Sequence, residues 1–451
     1  MARFPRTGAR RACALSVALL VGVCVCVVGV CVCVVGCAKK EFFQEDETWF
    51  DTKATPEPPV ELPFTSDVPS QTRALGDPRE TVRTDAARAL AMTGGPARSS
   101  LPALAKVASN GDESVAVRVS AIDAMAAIGP WHEVVVPTLD ALAKSGEPRV
   151  RLAAVKALGA MDSEAAPAAP TLVALLAENE LRDESVNALV RIGPAAVPEL
   201  SKAADHANGD VRGAAHAALA RIGKPSVPAL VQKLKDPRDY EGTVRALAAV
   251  GKGVLPELEK ALGDRNDNLR RGASDALAIM GPAARPASAA IVKTTNDPSA
   301  SVRTAAQYAL SRIGPRTGPE VRAVIWGLRD SDVRVRKAAG LGIASVGPDA
   351  EAAAVDEIAK ALSDHRWNVR ADCATALGRI GENAGAATSA LIRALDDADP
   401  NVRERAARSL GFIGLSARSA LDALRARTKD PHPDVRRAAT ESISKIEESA
   451  R

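Results

Sequence analysis

DPSASVRTAAQYALSRIG, residues 297–314, is the stretch that decides how this chain folds. Counted from Val302 as zero, Val302, Ala306, Ala309, Leu310 and Ile313 fall at offsets 0, 4, 7, 8 and 11. Those offsets share one face of a helix with 3.6 residues per turn. Gly314 and Pro315 follow, a stop signal: glycine accepts the left-handed conformation that ends a helix, and proline prevents its resumption. The same grammar returns in DSDVRVRKAAGLGIASVG at 330–347 and DADPNVRERAARSLGFIG at 397–414. Only Ala, Gly or Ser stands at offset 7 in any unit, which lets neighbouring helices approach closely. A shorter apolar pattern fills the interval, as in Pro228-Ala-Leu230 and Pro256-Glu-Leu258, so each unit reads as a helical hairpin.

Working outward, Val-Arg recurs with its Val at 82, 117, 150, 211, 302, 335, 369, 402 and 435, and Leu-Arg stands at 181 and 269. At one origin Asp239-Tyr240 replaces the pair. Twelve units result, 28 to 35 residues apart, with the shortest spacings between origins 150 and 269. Repetition at such a period predicts an all-α solenoid over 71–451, each unit burying its apolar face against the next. An Asp stands six residues before the Arg in Asp77/Arg83, Asp112/Arg118, Asp264/Arg270, Asp297/Arg303, Asp330/Arg336, Asp364/Arg370, Asp397/Arg403 and Asp430/Arg436. Where Pro follows, at Asp77, Asp236, Asp297 and Asp430, the pair reads as a helix N-cap with Pro in the first turn. The arginine column could be a polyanion track. The matched Asp column predicts instead an internal ladder, each guanidinium held by an Asp of its own or the adjacent turn. This Asp…Val-Arg…Ala-Leu…Ile-Gly signature resembles HEAT repeats, especially the HEAT-like repeats of phycobilisome lyases. The resemblance implies the fold and leaves the function open, because such arrays serve many partners.

Composition agrees with that reading. Among 451 residues, 25% are charged and 46% hydrophobic, which excludes both a polytopic membrane protein and general disorder. Aromatics make up only 3%, too few for a β-sandwich or propeller and sparse for stacking on bases or a flat cofactor. The net charge of +4 equals that of residues 1–36, so the chain from Cys37 onward sums to zero and nucleic acid is not an expected partner.

Six of the seven cysteines lie within the first 37 residues, leaving Cys373 alone in the body and excluding a disulfide framework. Four arginines precede an apolar run over 12–36, the layout of a signal peptide. Its end, Val34-Val35-Gly36-Cys37, resembles a bacterial lipobox, which implies lipid attachment at Cys37 and a body held outside the cytoplasm. Ala38 after the cysteine leans toward the outer membrane by the same analogy; the alternative is an uncleaved anchor in the inner membrane. Residues 37–70 are acidic and proline-rich, as a tether is, yet carry Phe42, Phe43, Trp49, Phe50 and Phe64. This stretch either caps the first repeat or docks a partner.

Catalytic chemistry is not signalled. No HExxH, CxxC, phosphate-binding loop or nucleophile elbow occurs, and Cys373 occupies an offset held by Ala in other units. Neither metal, cofactor nor small-molecule substrate is expected. The expected function is that of an envelope scaffold for another protein, with a bilin-lyase-like enzyme and a mechanical spacer as alternatives. Partner contacts are expected where exposed helix positions vary while the core repeats, represented by Arg191, Arg221, Arg312, Arg379 and Phe412. The irregularity at Tyr240, and Trp131, Trp326 and Trp367, are further candidate binding positions.

Overall fold

A computed structural model describes residues 65–129 and 133–450. Twelve long helices, of 11 to 16 residues, alternate with twelve short ones of 6 to 10, and the described residues contain no strand. Every long helix carries the Val-Arg column or its variant. Successive long helices pack along much of their length and successive short helices meet at few points, except at one joint where the order reverses. There the short helices Gly318–Gly327 and Ala352–Ala361 pack extensively, while the long helices Val333–Ala344 and Trp367–Ile380 meet at few points. Apart from that joint, the long layer is therefore the compressed, inner side of the array. Its first short helix, Val68–Ala74, begins before residue 71 and packs on the first long helix, Glu80–Thr93. The stretch expected to be a lipobox, residues 34–37, and the rest of the expected tether up to residue 64 lie outside the described residues.

The sequence columns explain the close inner layer. Offset 9 of one long helix meets offset 7 of the next: Gly159 against Ala188, Gly378 against Ser409, Gly411 against Ser442. A Cβ on Gly411 would stand 2.5 Å from the Ser442 hydroxyl oxygen, so only glycine fits there. At Gly314, φ is +79°, and its N–H closes the helix Ala300–Ile313 on the carbonyl of Leu310. After many such stops a 3-10 turn, such as Gly281–Ala287, leads into the next short helix. The shared face becomes a continuous core: Val302, Ala306, Ala309 and Leu310 are fully buried.

The Asp-Pro pairs depart from the expected N-cap. Asp77, Asp297 and Asp430 instead head tight turns, accepting the N–H two residues on, from Arg79, Ser299 and His432; the long helix starts only after those residues. Asp236 alone behaves as expected, capping the 3-10 turn Pro237–Asp239 through the Arg238 N–H.

Candidate partner-binding face

The ladder is built between units: of the two expected arrangements, the carboxylate comes from the adjacent unit and not from the Arg's own. Asp330 shows the wiring. Its carboxylate accepts Nε and Nη2 of Arg303, from the preceding unit, at 2.7 and 2.9 Å. It also accepts the Asp332 N–H at 2.8 Å, while its main-chain carbonyl accepts Nη1 of Arg336 at 2.7 Å. An Asp six residues before an Arg thus offers that Arg its carbonyl and offers its carboxylate backward. Arg270–Asp297, Arg370–Asp397 and Arg403–Asp430 repeat the bidentate link, each side chain at most 17% exposed across all four pairs. The Arg303 guanidinium holds the Asp330 carboxyl below its ordinary value, and Arg403 does the same for Asp430.

The other rungs vary. Arg83 reaches Glu113 rather than Asp112, and the carboxylate of Asp77 pairs with exposed Arg79. Buried Arg118 donates to the Ala108 carbonyl. Asp264 gives its carbonyl to Arg270, but Tyr240 stands where an Arg would meet its carboxylate. Asp364 is taken by Arg329 at 2.5 Å and gives its carbonyl to Arg370; Arg336 and the terminal Arg436 hold main-chain carbonyls. With its guanidiniums turned along the array into turns and carboxylates, this column is joinery between repeats.

The exposed positions of the long helices form a different surface. Arg191, Arg221, Arg312, Arg379 and Phe412 are all exposed on the inner layer, the first two well separated in sequence from the others. Arg191 donates to Asp162 at 3.0 Å and Arg221 to Asn187 at 2.9 Å. Arg379 reaches only the carbonyl of Ala344, and Arg312 has no polar partner among the described residues. Phe412 is 58% exposed, with the Lys445 ammonium 4.3 Å from its ring centroid. Arg379 and Phe412 line one groove of about 790 Å³ together with Asp372, Arg405 and Arg408. Sequence reasoning missed Tyr308, Lys337 and Leu341, exposed on the same layer at offsets 6 and 2. Their signal was present in the bulky or charged departures at those offsets.

At the irregular repeat, Tyr240 is held by a 2.5 Å hydrogen bond to Asp275 and lies under the Arg271 guanidinium, 4.6 Å from the ring centroid. Burial pushes the Asp275 carboxyl up. His216 is buried nearby, Nδ1 3.2 Å from Asp239 and Nε2 3.2 Å from the Thr243 hydroxyl. That order resembles a nucleophile–base–acid relay, but Thr243 is 1% exposed and closed to substrate. Burial pushes the His216 imidazole below its usual value. Cys373 is wholly buried and its thiol pushed up, consistent with a packing role. Trp326 and Trp367 are exposed, Trp326 on a short helix; Trp131 lies outside the described residues.

A family model for HEAT repeats matches residues 101–189, 169–249, 227–311, 321–398 and 388–451. The chain belongs to the HEAT-repeat family. No curated protein matches it. Among solved structures, an engineered protein is similar at 22% identity and a TM-score of 0.35, over 85% of this chain and 99% of that one. A Kap121p mutant is similar at 14% identity and a TM-score of 0.41, over 84% of this HEAT-repeat chain and 49% of the mutant. Importin beta follows at 15% identity and 0.37, over 85% and 56%. The HEAT-repeat chain therefore spans about half the length of the Kap121p and importin beta chains it matches.

Proposed function

We propose that this HEAT-repeat array is an exported, lipid-anchored scaffold that holds another protein along its inner layer at the cell envelope. The observation that carries the reading is the contrast between a repeating core and a non-repeating exposed face. Offset 10 holds Met92, Arg191, Ile279, Arg312 and Phe412 in different units, while offset 8 stays aliphatic or Met throughout. A mechanical spacer gains nothing from such variety, whereas recognition of an extended partner uses it. The address rests on Val34-Val35-Gly36-Cys37 after a basic and apolar leader.

Cross-linking capture from native membranes tests the surface. Reversing Arg191, Arg221, Arg312 and Arg379 together to Glu should abolish capture while helical content and melting stay unchanged, since all four are exposed. Capture that survives the fourfold change but disappears on deleting residues 41–64 would move binding to the aromatic tether. For the address, Cys37→Ser should block acyl incorporation and leave the precursor unprocessed; normal processing in that variant would refute lipidation.

A further inference from the structure

The two halves of the inner layer differ in how their charges are balanced. In the N-terminal half most exposed cations of the long helices have a local partner; Arg149 has none among the described residues, and Lys156 acts on Asp123 only through space. Arg88 lies 3.6 Å from Asp85, Arg191 bonds Asp162, Arg221 bonds Asn187, and Arg245 pairs with Glu241. Beyond residue 300 Arg334, Arg408 and Arg437 are paired as well, with Asp332, Glu404 and Asp434, but more cations stand without an acidic partner. Arg312 and Lys337 have no polar partner among the described residues, Arg379 reaches only a carbonyl, and Lys445 faces only an aromatic ring. Apolar exposure follows the same division. Of nine large hydrophobic side chains exposed among the described residues, eight lie after residue 278, and Tyr308, Leu341 and Phe412 stand on the inner layer among those cations. Leaving three such side chains in water beside unbalanced charge brings no folding benefit, and Phe412 and Arg379 line a groove of about 790 Å³ whose other charged walls are Arg405, Arg408, Asp372 and Glu404.

We infer that the inner face of the last five units, from Tyr308 to Lys445, docks an extended acidic segment of another protein that carries large apolar side chains at regular intervals. Acidic groups satisfy Arg312, Lys337 and Arg379; apolar ones cover Tyr308, Leu341 and Phe412. The interval follows from geometry. Closely packed helices lie about 8–10 Å apart and an extended chain advances about 3.3 Å per residue, so roughly three residues span one such step. Tyr308, Leu341 and Phe412 stand in the first, second and fourth of the five units, with a more loosely packed step from Val333–Ala344 to Trp367–Ile380. This deepens the scaffold reading and rests on it, by naming the partner's chemistry and the half of the array that recognises it.

The probe is a fluorescein-labelled peptide of about twelve residues, Glu-Asp-Leu in tandem, titrated against the full chain by anisotropy. Saturable binding is expected, weakening with salt as screened charges require. Arg312→Glu with Arg379→Glu should weaken it by about tenfold or more, as should Leu341→Ser with Phe412→Ser, while Arg191→Glu with Arg221→Glu leaves it unchanged. A control peptide with Ser for each Leu should bind far less. Equal binding of that control, tighter binding of a single-stranded oligonucleotide, or indifference to Arg312 and Arg379 would each overturn the inference. If partner capture from membranes is lost on reversing Arg191 and Arg221 alone, the scaffold reading stands and this inference falls. If capture is indifferent to all four reversals, the inner-face reading itself falls.

Discussion

At the scale of single residues, the informative comparison is between Arg303 and Arg336, which occupy the same column with different partners. Arg303→Ala strands the Asp330 carboxylate, 13% exposed, and should cost on the order of 3 kcal/mol. Arg336→Ala removes only donors to the Asp330 and Ser331 carbonyls, so about 1 kcal/mol is expected. Thermal melts of the two variants check the order, and equal losses would contradict the wiring between units. The loss should be local, with protease cutting first near 303 in Arg303→Ala. Acid should imitate that substitution. Because the Asp330 and Asp430 carboxyls are held below their unfolded values, the stability they contribute is complete above about pH 4 and falls as pH drops through the lower folded values. That an Asp and an Arg share each unit is legible in the sequence. Which Asp meets which Arg is not, because both columns have the same period and a shift of one unit leaves the pattern unaltered. Nor does any column mark Arg329, which takes Asp364 from outside the repeat grammar.

At the scale of the element, glycines in two long helices have opposite meanings. Gly411 touches the next long helix, and a Cβ there meets Ser442 at 2.5 Å to the hydroxyl oxygen and 2.9 Å to Cα. Alanine gains about 1 kcal/mol in helix propensity, but forcing the two helices apart costs about 1–3 kcal/mol, so Gly411→Ala should destabilise. Gly340, in the helix Val333–Ala344, has nothing within 4 Å of its would-be Cβ. Gly340→Ala should therefore stabilise by about 0.5–1 kcal/mol. Denaturant midpoints moving in the same direction for both would show that the inner helices do not pack as described. Helices, their stops and their small-residue faces were readable because each is a local property repeated from unit to unit, the glycine stop in ten of twelve. The turn role of Asp77, Asp297 and Asp430 was not, since an Asp that caps a turn and one that caps a helix precede the same Pro or polar residue. The partner-facing residues were half readable: offsets 2, 6 and 10 are expected to be exposed and variable, which singles out Arg312 and Phe412 at offset 10, but nothing in the pattern ranks Leu341 at offset 6, 54% exposed, above other residues of its column.

At the scale of the whole array, stability is a sum of hairpins and the links between them, so the weakest links decide where it opens. Four bidentate rungs at Arg270, Arg303, Arg370 and Arg403 are tight, at 2.6 to 2.9 Å and well shielded from water. Between origins 150 and 239 the rungs loosen. Glu178 opposite Arg151 is 45% exposed, Asp210 opposite Arg182 is 66% exposed, and Arg212 stands 3.9 Å from Asp239. Exposed pairs contribute about 0–1 kcal/mol and are further screened by salt. This is also the block with the shortest repeat spacings, where Tyr240 replaces the ladder Arg and lends only one hydrogen bond, to Asp275. The looser links predict that native-state hydrogen exchange begins here: amides of the helices Asn179–Ile192 and Gly209–Ile222 should exchange before those of Ala300–Ile313 and Pro400–Ile413. Raising salt should widen the difference, because the exposed central pairs lose more than the shielded ones. Uniform exchange across all four helices, at either salt concentration, would mean that the core alone sets local stability and that the rungs contribute little. If the central block does open first, the surface from Tyr308 to Lys445 sits on the firmer half of the array. There the rungs at Arg303, Arg370 and Arg403 hold exposed side chains at fixed spacings, as recognition of an extended partner requires, and the step from Val333–Ala344 to Trp367–Ile380, where Arg336 meets no carboxylate, is the one looser joint.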